Sequence, residues 1–356
     1  MRSNFLVLGC MAVAISGSQA VFAEEKIETV EVLSPVYTVD RIYKSMSGPA
    51  STQEILPSAG KKSELVWIRG YRAVMVGEDG QTPMPQEFMC HSNLDMNWQK
   101  HRERFSSNQM TSPRLFTLSQ GQFDIRFPDG FGVPVFSDEP LSLTTQVLNL
   151  NDPTGMHKVR HKVSLEILRD SNAEKPMKPL FGTAAYGLQL IEGDVPYFGV
   201  EKPDKAHHGT GCLVGQTASN NQYEDSFGRH FTGHWVVKPG REENRTLATK
   251  LMKLPYDTTI HYIAVHLHPF AESIELRDLT DNKTLFKSKA TNFREKIGLE
   301  HVEAFSSEEG IPVYKDHEYE LVSVYNNTTN EDQDSMAVMY LYLLDKTFTK
   351  PDSGGA

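Results

Sequence analysis

Short β-prone runs, each closed by a turn signal, recur along this whole chain, and no long amphipathic helix interrupts them. Residues 65–68 (LVWI) and 71–76 (YRAVMV) flank a glycine. Residues 123–127 (FDIRF) alternate apolar and polar, as do the start of 141–150 and all of 161–168, with the turn-like NDPTG between those two. Period-two alternation is what a half-buried strand requires, because successive side chains point to opposite faces. An earlier strand reads at 28–33, and a later set at 234–237, 245–251, 259–268, 273–278, 284–286, 319–325 and 336–344. The pattern predicts an all-β fold of two antiparallel, jelly-roll-like β-sandwich domains in tandem. A loop-like break over 200–228 sets the boundary near residue 215. The expected division is a polar lead-in over 24–60, an N-terminal sandwich over 61–215, a C-terminal sandwich over 216–350, and a tail over 351–356. No internal repeat with a 20–50-residue period is visible.

A length of 356 residues suits two domains of ordinary size, and a formal net charge of −10 argues against nucleic acid or an anionic membrane as the main partner. The N-terminus has Arg2, an apolar stretch over 5–15, then Val21-Phe22-Ala23 before Glu24. This reads as a signal peptide over 1–23, cleaved after Ala23, and predicts an exported protein, periplasmic or extracellular. A lipobox ending at Cys10 fits less well, because the apolar run before it is short. No later stretch approaches the length of a membrane-spanning helix. Removal of Cys10 leaves Cys90 and Cys212. They form a disulfide in an oxidising compartment, or Cys90, beside His91, faces a metal.

The chemistry concentrates in residues 261–270, HYIAVHLHPF. On a strand His266 and His268 project to one face, while Val265 and Leu267 point the other way. Two imidazoles so placed grip one metal ion if a third ligand arrives from another strand; otherwise they are a polar pair on a sheet surface. Met336, at the mouth of the last strand behind the acidic loop 331–335, is a candidate third ligand, with core filler as the alternative. Imidazole and thioether together form a soft set that selects copper, Cu(I) above all.

Residues 230–346 resemble the C-terminal domain of the copper type II, ascorbate-dependent monooxygenases, the family of peptidylglycine α-hydroxylating and dopamine β-monooxygenases. The resemblance rests on a Pro239-Gly240 turn, the strand carrying His266-Leu267-His268, the strand at 319–325, and a polar loop at 326–335 that ends at Met336. It implies that His266, His268 and Met336 hold the catalytic copper, and that Tyr340 contacts substrate. Ala264 stands where the peptide-amidating branch has a carboxylate-binding arginine, which argues against a glycine-extended peptide. Ala337 stands where a family cysteine follows the methionine. The family's second copper is held by three histidines, two of them adjacent. Here Met89-Cys90-His91 matches the pair, and Leu148 takes the third position, so that site is absent or rebuilt. A rebuilt site would use His91 with His207 and His208, drawn together by a Cys90–Cys212 bond. His101, His157 and His161 read as solvated, while His230, His234 and His261 remain unassigned. The resemblance implies copper- and O2-dependent hydroxylation of a small-molecule or peptide substrate, with ascorbate or another reductant as electron source. The alternatives are a copper carrier or sensor without oxygenase activity, and an adhesion or assembly module without metal.

Overall fold

The strand Leu65–Gly77 is the spine of the first sandwich, and it unites the two runs expected at 65–68 and 71–76. Gly70 carries it past a bulge, where the register to the strand His157–Arg169 shifts between Glu166 and Ile167. A Cβ on Gly70 would stand 3.0 Å from the Glu166 carboxylate and 3.1 Å from the Ile125 carbonyl, so only glycine passes there without displacement. The computed structural model describes residues 26–58, 63–105, 112–190, 222–224 and 228–351.

One sheet of this sandwich sets Ile27–Leu33, His157–Arg169, Leu65–Gly77 and Phe131–Phe136 side by side. The other sets Ala50–Ile55, Leu141–Val147, Met89–Met96 and Arg114–Ser119. Their facing apolar positions, among them Tyr71, Met75 and Val163 from one sheet and Leu94, Leu118 and Leu143 from the other, fill a single core. Of the polar stretch 24–60, expected as a lead-in, the described residues 26–58 contribute strands to this sandwich. Ile27–Leu33 pairs along its length with residues 162–168, and Ala50–Ile55 with residues 141–146. These segments satisfy the backbone groups of strands that would otherwise be sheet edges.

The second sandwich packs Lys178–Tyr186, Ala337–Leu344, Thr258–Leu267 and Phe305–Val313 against Gly240–Leu247, Tyr319–Asn327, Ala271–Asp278, Lys283–Asn292 and Leu299–Val302. The strands Leu299–Val302 and Phe305–Val313 have no counterpart in the sequence reading. Lys178–Tyr186 precedes the expected boundary near 215, yet it pairs residue by residue with the last strand. It also makes a short parallel contact with Phe131–Phe136, so one hydrogen-bonded path runs from the first sandwich into the second. The fold is all-β. Among the described residues the helices are short, and none is long and apolar enough to cross a membrane.

The strand Thr258–Leu267 decides where the candidate site lies. Ile263, Val265 and Leu267 enter the core of their own sandwich. Tyr262 and Ala264, on the opposite face, join the core of the first sandwich, as does Tyr342 from the neighbouring strand. Phe127 meets the rings of Tyr262 and Tyr342 at 5.8 and 4.9 Å, sealing the seam between the sandwiches. His266 is next on that seam-facing side, as strand alternation requires.

Candidate metal centre

His266 and His268 stand at the end of this strand with rings perpendicular and centroids 5.3 Å apart. Both are buried, 8% and 6% exposed, so neither belongs to an open sheet surface. The Nδ1 of His266 contacts the Ser119 hydroxyl of the first sandwich at 2.9 Å. Ser119 lies directly opposite His91 across a strand pair, so His91 shares that wall. Burial, with His268, His91, His234 and Arg114 adding, pushes the His266 pKa well below the ordinary histidine value. Burial, then Arg114, His161 and His268, takes His91 down to about 3. Both imidazoles are neutral near pH 7, the form that binds metal.

His268 is held from two sides. Its Nδ1 lies 3.1 Å from Asp334 Oδ2, and its Nε2 faces the Ser45 hydroxyl at 3.5 Å. Asp334 Oδ2 also contacts His234 Nε2 at 2.9 Å. Burial works to raise the Asp334 pKa, but the charge of His268 and the contacts with His234 and His268 outweigh it, and the net direction is down. A two-stranded ladder brings these groups in: Trp235–Val237 pairs with Gln333–Ser335, with Val236 opposite Asp334, which sets His234 on the same face as Asp334 and diagonal to it.

Met336 lies between that ladder and the last strand. The pairing of His266 with Val338 and of Leu267 with Ala337 points Met336 toward the level of His268. One side chain ties the two: the Tyr325 hydroxyl donates to the Met336 carbonyl at 2.6 Å and accepts the His268 N–H at 3.3 Å. The structure thus joins the main chains of His268 and Met336, the histidine and methionine that the resemblance implies as ligands, through a single oxygen.

A cavity of about 190 Å³ opens at this point, lined by Ser45, Cys90, Leu148, His266, His268 and Asp334 among others. Cys90 and Leu148, the positions that the resemblance aligns with a second copper site, line the same cavity as the His266–His268 pair. His207, His208 and Cys212 lie outside the described residues, and with them the expected Cys90–Cys212 bond and the rebuilt second site. Tyr340 is opposite Ala264, packs against the first sandwich's core, and is absent from the cavity wall.

Two of the three histidines read as solvated are buried. His101 sits inside the first sandwich with its Nδ1 2.8 Å from Glu139. His161 is fully buried, with neither ring nitrogen partnered. His101 lies in a polar helical run that disguises its inward position, whereas His161 is in phase with the buried Val163, Leu165 and Ile167 of its own strand. His157 is partly exposed and contacts Asp152 at 2.8 Å. His261 is occupied by the Thr259 hydroxyl and the Ser307 carbonyl, away from the site. His234, which the sequence left between an outer contact of the site and a core or surface role, joins the cluster, and Asp334 joins it without having been singled out. For Asp334 a signal exists: it precedes Met336 by two, the spacing that set His266 with His268 on one face.

No protein-family profile matches the chain, and no curated protein matches it. Among solved structures, a peptide-N(4)-(N-acetyl-β-D-glucosaminyl) asparagine amidase aligns over 91% of this chain and 99% of its own at 7% identity, with a TM-score of 0.35. The PBCV-1 protein VP54, fitted into a reconstruction of the virophage Sputnik, aligns over 95% and 100% at 9% identity, with a TM-score of 0.34. The STIV MCP aligns over 88% and 98% at 9% identity, with a TM-score of 0.28. Similarity at this level identifies neither a family nor an activity.

Proposed function

We propose that this chain is an exported, copper-dependent monooxygenase-like protein whose copper is held by His266, His268 and Met336. The observation that carries the reading is the Tyr325 hydroxyl, which spans the main chains of His268 and Met336 beside the paired imidazoles. The donor set fits the ion. Ser119 occupies the Nδ1 of His266 and leaves its Nε2 for a metal. Copper bound there would supply one-electron chemistry and a place for O2, with ascorbate or another reductant as electron source.

The chain's own residues limit what is oxidised. A cavity of about 190 Å³ admits a small molecule or the end of a larger one. Ala264 is fully buried in the seam, so the position of the amidating branch's arginine is closed to a peptide carboxylate. A copper carrier or sensor is the second reading, favoured by the deep burial of both histidines and by Leu148 where a second copper would need a ligand.

Metal analysis of the purified protein tests the proposal. One copper per chain, lost in His266→Ala and weakened in Met336→Ala, supports it; copper retained in both sinks it. Oxygen uptake with ascorbate then separates enzyme from carrier.

A further inference from the structure

We infer that His234, Asp334 and His268 form a two-imidazole, one-carboxylate site for a borderline divalent ion such as Zn2+. This site shares His268 with the copper reading but does not depend on it, since it uses neither His266 nor Met336.

The geometry is that of donors gathered on a point. His234 Nε2 and His268 Nδ1 approach the same oxygen of Asp334, at 2.9 and 3.1 Å, and one donor atom from each residue lies within 4.8 Å of the others. An ion with bonds of roughly 2.0–2.2 Å and tetrahedral angles sets its donors about 3.3–3.6 Å apart, so the three groups would open by a few tenths of an ångström to admit it. The His268 Nδ1 is buried and, although close to the carboxylate, makes no aligned hydrogen bond. His234 Nε2 does hydrogen-bond that oxygen, so among the three groups His268 Nδ1 is the buried nitrogen that lacks a hydrogen-bond partner and is aimed at the cluster. His234 is 2% exposed and the Asp334 side chain 13%. An ion here would therefore be shielded from bulk water on most sides.

The position is fixed by three separate segments. Asp334 comes from the short ladder, His234 immediately precedes its other strand, and His268 follows the long seam strand. Asp334 and His268 also line the cavity, so an ion between them would have one side open to it. Imidazole with carboxylate suits Zn2+ and similar divalent ions, whereas the thioether set favours Cu(I). Because both sets need His268, occupation of one excludes full occupation of the other. Zn2+ would act as a competitor of copper at the seam.

The test is titration of the metal-free full chain with Zn2+ alone, followed by X-ray absorption at the zinc edge. The expected result is one Zn2+ per chain in a shell of nitrogen and oxygen only. Affinity should fall at least about 100-fold in Asp334→Asn and in His234→Gln, and stay within about threefold in Met336→Leu. Far-UV circular dichroism and the urea midpoint establish that each variant folds; if one does not, the other decides. No stoichiometric Zn2+ binding by the parent chain, binding that survives both substitutions, or sulfur in the zinc shell overturns the assignment. Cu(I) affinity in His266→Ala and Met336→Leu is measured separately, so failure of the copper reading is distinguishable from failure of this one.

Discussion

Replacing Tyr325 with phenylalanine removes one oxygen from the seam and should loosen both the fold and the metal site. The hydroxyl is buried, the residue being 1% exposed, and it makes one short bond to the Met336 carbonyl and one long bond to the His268 N–H. The ring stays, packed edge-on to Trp235 at 6.1 Å, so no sizeable cavity opens. A hydrogen bond contributes about 0.5–1.5 kcal/mol net, and a buried group left unpartnered costs about 1–3 kcal/mol. The shorter bond falls at the upper end and the longer at the lower end, which puts the loss at about 2 kcal/mol. Bound copper should feel it as well, because the hydroxyl ties the two segments proposed to carry its ligands. Loss of such an outer contact lowers metal affinity by about 10–100-fold. Urea unfolding of the metal-free protein reads the first effect, and a chelator-competition titration with Cu(I) reads the second. An unchanged midpoint together with unchanged Cu(I) affinity would refute the reasoning. A stability loss with unchanged affinity would show that the tie serves the fold and not the site.

Ser119→Ala removes the hydroxyl that holds His266 Nδ1, and Cu(I) affinity should drop about 10-fold with little change in the urea midpoint. His161, fully buried with both ring nitrogens unpartnered, has its pKa pushed down to about 3 by burial. Its folded pKa lies below the unfolded value of about 6.5, so the unfolded state binds the extra proton. Stability is therefore intact above about pH 6.5 and drains as pH falls toward 3, by up to about 1.4 kcal/mol per pH unit. His161→Leu should remove that slope and be more stable than the parent at pH 4.5 by about 1–3 kcal/mol, read from urea midpoints at pH 4.5 and 7. Glu139→Ala removes the carboxylate from His101 Nδ1 inside the first sandwich and should cost about 1–3 kcal/mol, measured by the same unfolding assay. Stripping metal with a chelator should lower the melting temperature, because ligand binding at about 100 times its dissociation constant stabilises the native state by about 2.7 kcal/mol. A melting curve indifferent to metal would count against a site built from residues of the folded state.

Local pattern was enough to place several parts of the protein. Alternation in residues 259–268 puts Val265 and Leu267 in one core and His266 and His268 on the opposite side, whatever the rest of the chain does, because side-chain direction along a strand is a property of the backbone. The all-β class follows for the same reason. His234 and Asp334 were not readable in this way. They meet His268 only because two three-residue strands, Trp235–Val237 and Gln333–Ser335, pair across almost a hundred residues of chain. The burial of His161 was legible in its own strand, because it stands in phase with Val163, Leu165 and Ile167, all of which face inward. Strand periodicity is local, and it settles which side chains share a face. Which faces meet is a tertiary matter, because strand pairing and the docking of one sandwich on the other depend on segments far apart in the chain. The seam where Ser119, His91 and Cys90 of the first sandwich approach His266 and His268 of the second is the product of that docking.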